Sequence, residues 1–229
     1  MPRSPFDEPP PQERAAVSRT LLDGAHVLVS AERLLGFAFW STRLSANGQT
    51  VSSSGVDGNV LAGVSGPATP HGIPRLAFDA IPFGGLTLGG SFGYMTHSGT
   101  ETLPNKSEQP IASLRVLTFA PRVGYAIDFS KHVGLWLRGG ITYYRIDGSS
   151  TQTDTTGNVT AIDSTRQGVS LDLEPTLMLS PAAHFAFTFG LVADLPLGGS
   201  YSESGQLSGV PFDLTYTSFG LQSGLTAWF

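Results

Sequence analysis

The stretch TSFGLQSGLTAWF, from Thr217 to Phe229, alternates without a break up to the last residue of the chain. With a period of two, Thr217, Phe219, Leu221, Ser223, Leu225, Ala227 and Phe229 share one face, and Ser218, Gly220, Gln222, Gly224, Thr226 and Trp228 share the other. One face is mostly large and apolar, the other mostly small and polar. A soluble sandwich would turn the large apolar face into a core. A closed sheet in a membrane would turn it out to lipid and the small face inward. This strand alone does not choose between them.

The same alternation recurs upstream. The first strand is expected from Ala25 to Thr42, with Val27, Val29, Leu35, Phe37 and Phe39 on one face. Arg33 breaks its register: either it snorkels at an interface, or a bulge near Glu32 and Arg33 switches faces. A hairpin follows, with Leu76, Phe78 and Ala80 outward, a turn at Pro82–Gly85, and Leu86, Leu88, Phe92 and Tyr94 outward again. Arg75, Ala77 and Asp79 take the inward positions. A second hairpin turns at Phe129–His132 and a third at Ser180–Ala183. Ser45–Gly72, His97–Pro110, Gly148–Thr165 and Gly198–Phe212 read as long polar loops. Eight strands with short and long connections in strict alternation result, and strand parity puts both termini on the short-turn side. In the strand Phe185–Leu195 the face opposite the phenylalanines is Ala186, Thr188, Gly190, Val192 and Asp194. That is a poor water-facing exterior and a suitable crowded interior.

Composition agrees. The chain has 229 residues with 28 Gly, no Cys and only 14% charged residues, against about 25% in ordinary soluble domains. No apolar run reaches the roughly 18 residues that a membrane helix needs. The lack of cysteine excludes disulfides and thiolate metal sites. A net charge of -5 without a basic run gives no reason to expect nucleic-acid binding. Residues 1–24, with Pro2, Pro5, Pro9, Pro10 and Pro11 among charges, read as a flexible tail, and Ala15–Leu22 as at most a helical turn. Met1–Arg14 has no apolar signal-peptide core, so an exported chain beginning this way is expected to be the mature form with an added Met.

The ending GLTAWF resembles the closing strand of bacterial outer-membrane β-barrels, and the strand pattern over residues 25–229 resembles the small OmpA/OmpX-type barrels. The segments VSAERLLGF (Val29–Phe37) and PRLAFDAIPFGGLTLGGSFGY (Pro74–Tyr94) also resemble an uncharacterised outer-membrane-barrel family of myxobacteria and their relatives. The resemblance implies an all-β, eight-stranded, antiparallel up-and-down transmembrane barrel over 25–229, in the bacterial outer membrane, with residues 1–24 as a periplasmic tail. It implies that Phe219, Leu221, Leu225 and Phe229 carry the signal read by the barrel-assembly machinery. Outer-membrane lipid and lipopolysaccharide would surround a monomer, and no cofactor or metal is expected.

Inward parity gathers charges in the central hairpins. Arg122 and Arg138 would face each other across a turn centred near Ser130–Lys131, needing acids between them. Asp172, Glu174 and Asp194 point inward on the next strands, with Arg138 and Glu174 at similar depth. Such a network is either a gate on a narrow ion path or the mutual satisfaction of charges in a filled lumen. Among five histidines, His97 beside Ser98 is the one that suggests hydrolase chemistry, yet sequence neighbours on a strand point to opposite faces. The expectation is therefore a non-catalytic barrel serving membrane integrity or surface contact through the loops at Ser45–Gly72 and Gly148–Thr165. The alternatives are a small gated pore and a lipid-modifying enzyme. The enzyme would require His97 or His71 within reach of a hydroxyl and a carboxylate.

Overall fold

Every alternating run becomes a strand in the computed structural model, which describes residues 21–22, 24–60, 63–64, 72–102, 108–110, 112–153, 159–204 and 212–229. In chain order they are β1 (Val27–Ala46), β2 (Gln49–Val60), β3 (Gly63–Val64), β4 (Arg75–Phe83), β5 (Leu86–His97), β6 (Thr100–Thr102), β7 (Glu108–Pro110), β8 (Ser113–Asp128), β9 (Val133–Thr153), β10 (Val159–Ala182), β11 (Phe185–Glu203) and β12 (Phe212–Trp228). All but the β6–β7 pair belong to one sheet, ordered β12-β11-β10-β9-β8-β5-β4-β1-β2-β3, and β12 also pairs with β1. The sheet is therefore an antiparallel up-and-down ring. Its seam runs from Leu28 opposite Trp228 to Ser45 opposite Asp213. Both ends of the barrel chain meet there, since the Val27 and Phe229 backbones hydrogen-bond in both directions at 3.1 and 3.0 Å.

Period two sorts the side chains. Phe37, Phe78, Phe92, Phe119, Ile141, Phe189 and Phe219 lie on the outer surface, each 43% or more exposed. Their neighbours on the same strands, such as Ala77, Ser91, Thr118, Thr142, Thr188 and Ser218, are buried inside. Large residues outside and small ones inside is the reverse of a soluble barrel, whose apolar side chains fill the interior. On the terminal strand Phe219, Leu221 and Phe229 are exposed and Ser218, Gly220 and Thr226 are buried, while Trp228, buried too, is a large residue on the inner face.

The wall departs from the sequence reading beside β1. The chain expected to loop from Ser45 to Gly72 instead reverses tightly: β1 runs on to Ala46, turns at Asn47-Gly48 with φ of 52° and 77°, and returns as β2. Two consecutive positive φ values form the primed hairpin turn that Asn-Gly favours. β1 then has two neighbours on one side. Val27–Glu32 pairs with β4, and Leu35–Ala46 pairs with β2. Val60 lies opposite Leu35 and Arg75 opposite Glu32. β2 and β4 are thus two halves of one wall strand, interrupted by residues 61–74. The interruption coincides with a bulge in β1 between Ala31 and Leu35.

The other expected loops are shorter than their assigned spans. β9 and β10 pair as far as Thr153 and Val159, so most of Gly148–Thr165 is an extended hairpin. β11 continues to Glu203 within Gly198–Phe212, and His97–Pro110 contains the small β6–β7 hairpin. At the opposite end the turns are short and fall where alternation put them. The proline-rich segment 1–20, with most of Ala15–Leu22, lies outside the described residues. Leu21 and Leu22, assigned to the tail, instead reach the short-turn mouth of the ring.

Gly220 lies at the seam, where an added Cβ would come within 2.2 Å of the Phe37 carbonyl oxygen and 2.7 Å of the Ala38 Cα. Backbone atoms cannot yield as a side-chain tip can, so Gly220→Val is expected to prevent ring closure, at a cost of about 3 kcal/mol or more. Heat-modifiable migration on a detergent gel should be lost in this variant and retained in Thr215→Val, whose position on the same strand is exposed.

Candidate functional site

The interior is layered. At the short-turn end Leu21, Leu28, Trp136, Met178, Ala186 and Trp228 form an apolar floor. Towards the other end lie two apolar clusters, Ile73 with Val116 and Ile146, and Tyr144 with Leu214 and Tyr216. Between floor and roof lie four arginines and five carboxylates.

Arg33 is central to this layer. Its φ of 55° places it at the β1 bulge, where β1 takes four steps from Ala31 to Leu35 against two on β12, from Leu225 to Ser223. Arg33 turns inward there beside Glu32, which shares the inward parity of Leu28 and Ser30, and the two are 3% and 4% exposed. A bulge is found where one was expected, but it turns only Arg33 inward: odd positions face outward on both sides of it, so the strand as a whole does not switch faces. Arg33 Nη2 donates to Glu174 Oε1 at 2.7 Å and to Asp172 Oδ2 at 3.2 Å, and lies 3.8 Å from Asp194 Oδ1. Asn59, on the last turn of wall before the interruption, donates to the Arg33 carbonyl at 2.6 Å and to the Gly72 carbonyl at 2.6 Å. The bulge backbone is thereby held from the side.

Arg122 and Arg138 are not directly opposite as expected. Arg122 faces Gly140, and Gly124 faces Arg138, a shift of one pair along the hairpin. The acid between them is Glu32, which bridges Arg122 Nη1 at 2.8 Å and Arg138 Nη1. Arg138 also meets Glu174, its direct cross-strand partner, with Nη2–Oε2 at 2.8 Å. Arg122 forms a two-pronged pair with Asp79, Nε–Oδ1 3.0 Å and Nη2–Oδ2 2.5 Å. Arg75 approaches Asp172 Oδ2 at 3.5 Å. Asp194 lies opposite Asp172 and accepts from the Ser218 hydroxyl at 2.6 Å. Trp136 joins the layers: its ring lies 4.4 Å below the Arg138 guanidinium and 5.5 Å from that of Arg122, and its indole N–H donates to Thr87 at 3.0 Å.

All five residues expected in a lumen network, Arg122, Arg138, Asp172, Glu174 and Asp194, thus meet in one layer. Glu32, Arg33, Arg75, Asp79 and Trp136 complete it. The inward parity of Arg75 and Asp79 was readable, but their contact with strands far along the chain was not. The free space beside Arg122, Arg138 and Glu174 is only about 10 Å³, and that beside Arg33 and Asn59 about 30 Å³. Each holds about one water molecule at most.

Charges this deep are costly unless paired. Here each carboxylate has a cationic or hydroxyl partner, and the forked guanidinium suits several acceptors at once. Among the described residues no group of three or more His, Cys, Asp or Glu is arranged to hold a metal ion. His97 makes no side-chain hydrogen bond to a hydroxyl or carboxylate among the described residues, and His71 lies outside them.

Comparison with solved structures places the fold. The ring resembles the outer-membrane protein OprG from Pseudomonas aeruginosa, at 12% identity over 90% of this chain and 96% of that one, with a TM-score of 0.53. The fold is that of an outer-membrane β-barrel. Neisserial surface protein A matches at 12% identity, covering 89% and 97% of the two chains, with a TM-score of 0.42, and the outer membrane protease OmpT from Escherichia coli at 9%, 89% and 97%, with 0.44. These two are too distant to carry an argument. No protein-family model and no curated protein sequence matches the chain.

Arg33→Ala removes the guanidinium shared by Asp172 and Glu174 and is expected to cost about 3–5 kcal/mol, the range for breaking a buried pair. Urea unfolding in detergent or lipid, followed by Trp136-sensitive fluorescence, should report this loss. Arg145→Ala, which breaks an exposed ion pair outside the layer, should leave the unfolding transition nearly where it is.

Proposed function

We propose that the protein is a non-catalytic barrel of the bacterial outer membrane, with a side-chain-filled lumen and a role in membrane integrity or in surface contact. The wall that crosses the membrane is made of eight passes: β1, the β2–β4 composite, β5, β8, β9, β10, β11 and β12. The short turns face the periplasm, and the extended β1–β2 and β9–β10 hairpins face the outside. This is the architecture of the OmpA/OmpX-type barrels, and the sequence likeness to myxobacterial barrels is consistent with it. Phe219, Leu221, Leu225 and Phe229, on the seam strand, supply the ending for the assembly machinery.

One observation carries the reading: a layer of paired charges, with water-sized gaps beside its arginines and apolar clusters on either side of it among the described residues, inside a ring whose outer surface is apolar. Lipid is the solvent such a surface requires, since a continuous apolar exterior is unfavourable in water, and a closed ring leaves no unpaired sheet edge to the hydrocarbon. A filled interior suits a protein that acts at its ends rather than through its middle. A second reading, a gated narrow path, draws on Glu32, whose two oxygens serve two different arginines and could exchange partners.

In planar bilayers the protein should give no stable conductance steps of the nanosiemens class. Large open steps would contradict a filled lumen, and small steps appearing only in Arg138→Ala would favour the gate. Leu191→Arg, on the outer face, should cost about 2–4 kcal/mol in lipid vesicles. A cost near zero would mean that this face meets water.

A further inference from the structure

Three side-chain oxygens beside the β1 bulge are shut off from water, have no hydrogen-bond partner among the described residues, and belong to residues that line one small cavity. They are Asp57 Oδ2, Asn59 Oδ1 and Gln222 Oε1. Strand register brings them to one place. Asn59 on β2 and Gln222 on β12 lie on either side of Gly36 on β1, and Asp57 lies opposite Ala38, the next inward position. Asn59 and Gln222 are two strand spacings apart, about 10 Å, and the glycine between them has no side chain to fill that span. The cavity there has about 30 Å³ free.

The amide of Asn59 has only one orientation. Its nitrogen gives hydrogens to two carbonyl oxygens, of Arg33 and Gly72, each at 2.6 Å, so Oδ1 is left to the other side. Asn59 and Gln222 are each 8% exposed, and a sheltered acceptor without a donor is costly. The guanidinium of Arg33, which also borders the cavity, is turned to Glu174 and Asp172. A water molecule fits the space but has two hydrogens for three oxygens, and it leaves the charge of Asp57 unanswered. Asp57 also raises the five carboxyl groups of the interior layer to six, against four guanidiniums.

We propose that this cavity binds a divalent cation of the calcium type, with Asp57, Asn59 and Gln222 as its protein ligands. One carboxylate with two amide oxygens is a hard, all-oxygen donor set of the kind calcium accepts in irregular geometry, whereas magnesium demands a compact octahedron and gives up its water reluctantly. Calcium–oxygen contacts of about 2.3–2.6 Å are shorter than hydrogen bonds, so the ion needs no more room than one water. Its two charges offset the excess of acid over base in the interior. The ion ties β2 to β12 across β1, at the level where the wall strand made of β2 and β4 is interrupted.

The full chain, refolded into detergent free of phospholipid and lipopolysaccharide, should be stripped with EGTA and titrated with calcium chloride by calorimetry. Its thermal unfolding is followed with and without the ion. One calcium per chain and a raised unfolding midpoint are expected, because an ion held only by the folded ring stabilises it. Asp57→Asn keeps the side-chain shape and removes the charge, and it should weaken calcium binding about tenfold or more. Gln222→Met, which removes one ligand without touching the charge, should weaken it as well. Asp213→Asn, at an exposed acid on β12, should bind as wild type does. Heat-modifiable migration identifies the folded samples. Folded wild type that takes up no calcium overturns the site, and so does a folded Asp57→Asn or Gln222→Met protein that binds it unchanged. Magnesium or sodium bound as tightly as calcium overturns the choice of ion. Because the measurement is made in detergent, each of these failures leaves the outer-membrane reading standing.

Discussion

Nine ionisable side chains inside a ring of β-strands cannot be left to find water, and the rest of the architecture follows from satisfying them. Arg33 is the hub. It reaches Glu174 and Asp172 together and lies near Asp194, so that three strands distant in sequence are tied through one guanidinium. It enters the lumen only because β1 carries a bulge, and the bulge lies where the neighbouring wall strand is itself broken into β2 and β4. A regular strand would have put Arg33 on the outer surface, among phenylalanines. One local irregularity in the backbone therefore decides the charge balance of the whole interior.

The layering around that hub has a functional sense. Trp136 separates the charges from the apolar floor while meeting two arginines with the face of its ring. Leu21, from the segment before the first strand, adds to the floor. Towards the opposite end lie tyrosines and aliphatics. Apolar neighbours on either side strengthen the pairs between and make loss of any one partner costly. The proposed role of the protein, acting at its ends rather than through its middle, draws on this layering.

Much of this was legible in the chain. Strict alternation gave the strands from Leu86 onward, their facing and the three short turns, because period two is set by backbone geometry and burial on one side. The terminal strand and its final Phe229 pointed to a membrane barrel. Arg138 and Glu174 were placed at one depth by counting from their turns. The misreadings have physical causes. Ser45–Gly72 was too rich in Gly and Ser to suggest a strand, although Asn47-Gly48 between Ala46 and Gln49 is a strong hairpin signal. Arg122 was placed one pair out of register because the exact turn centre was one residue further along. Glu32 has inward parity on the first strand, but its role as the bridging acid could not be read, since Arg122 and Arg138 come near it only in the closed ring. Arg75 and Asp79 were given inward positions, but their partners lie on strands that only ring closure brings near.

The account stands on the two faces of one wall. Because the chain contains no cysteine, single cysteines can be placed at each position from Ala186 to Val192 on β11 and spin-labelled in lipid vesicles. Labels at Phe187, Phe189 and Leu191 should be accessible to oxygen, which dissolves in lipid, and inaccessible to a water-soluble nickel reagent. Labels at Ala186, Thr188, Gly190 and Val192 should be accessible to neither. Nickel accessibility at the odd positions would contradict a lipid-facing surface, and at the even positions it would contradict a sealed lumen.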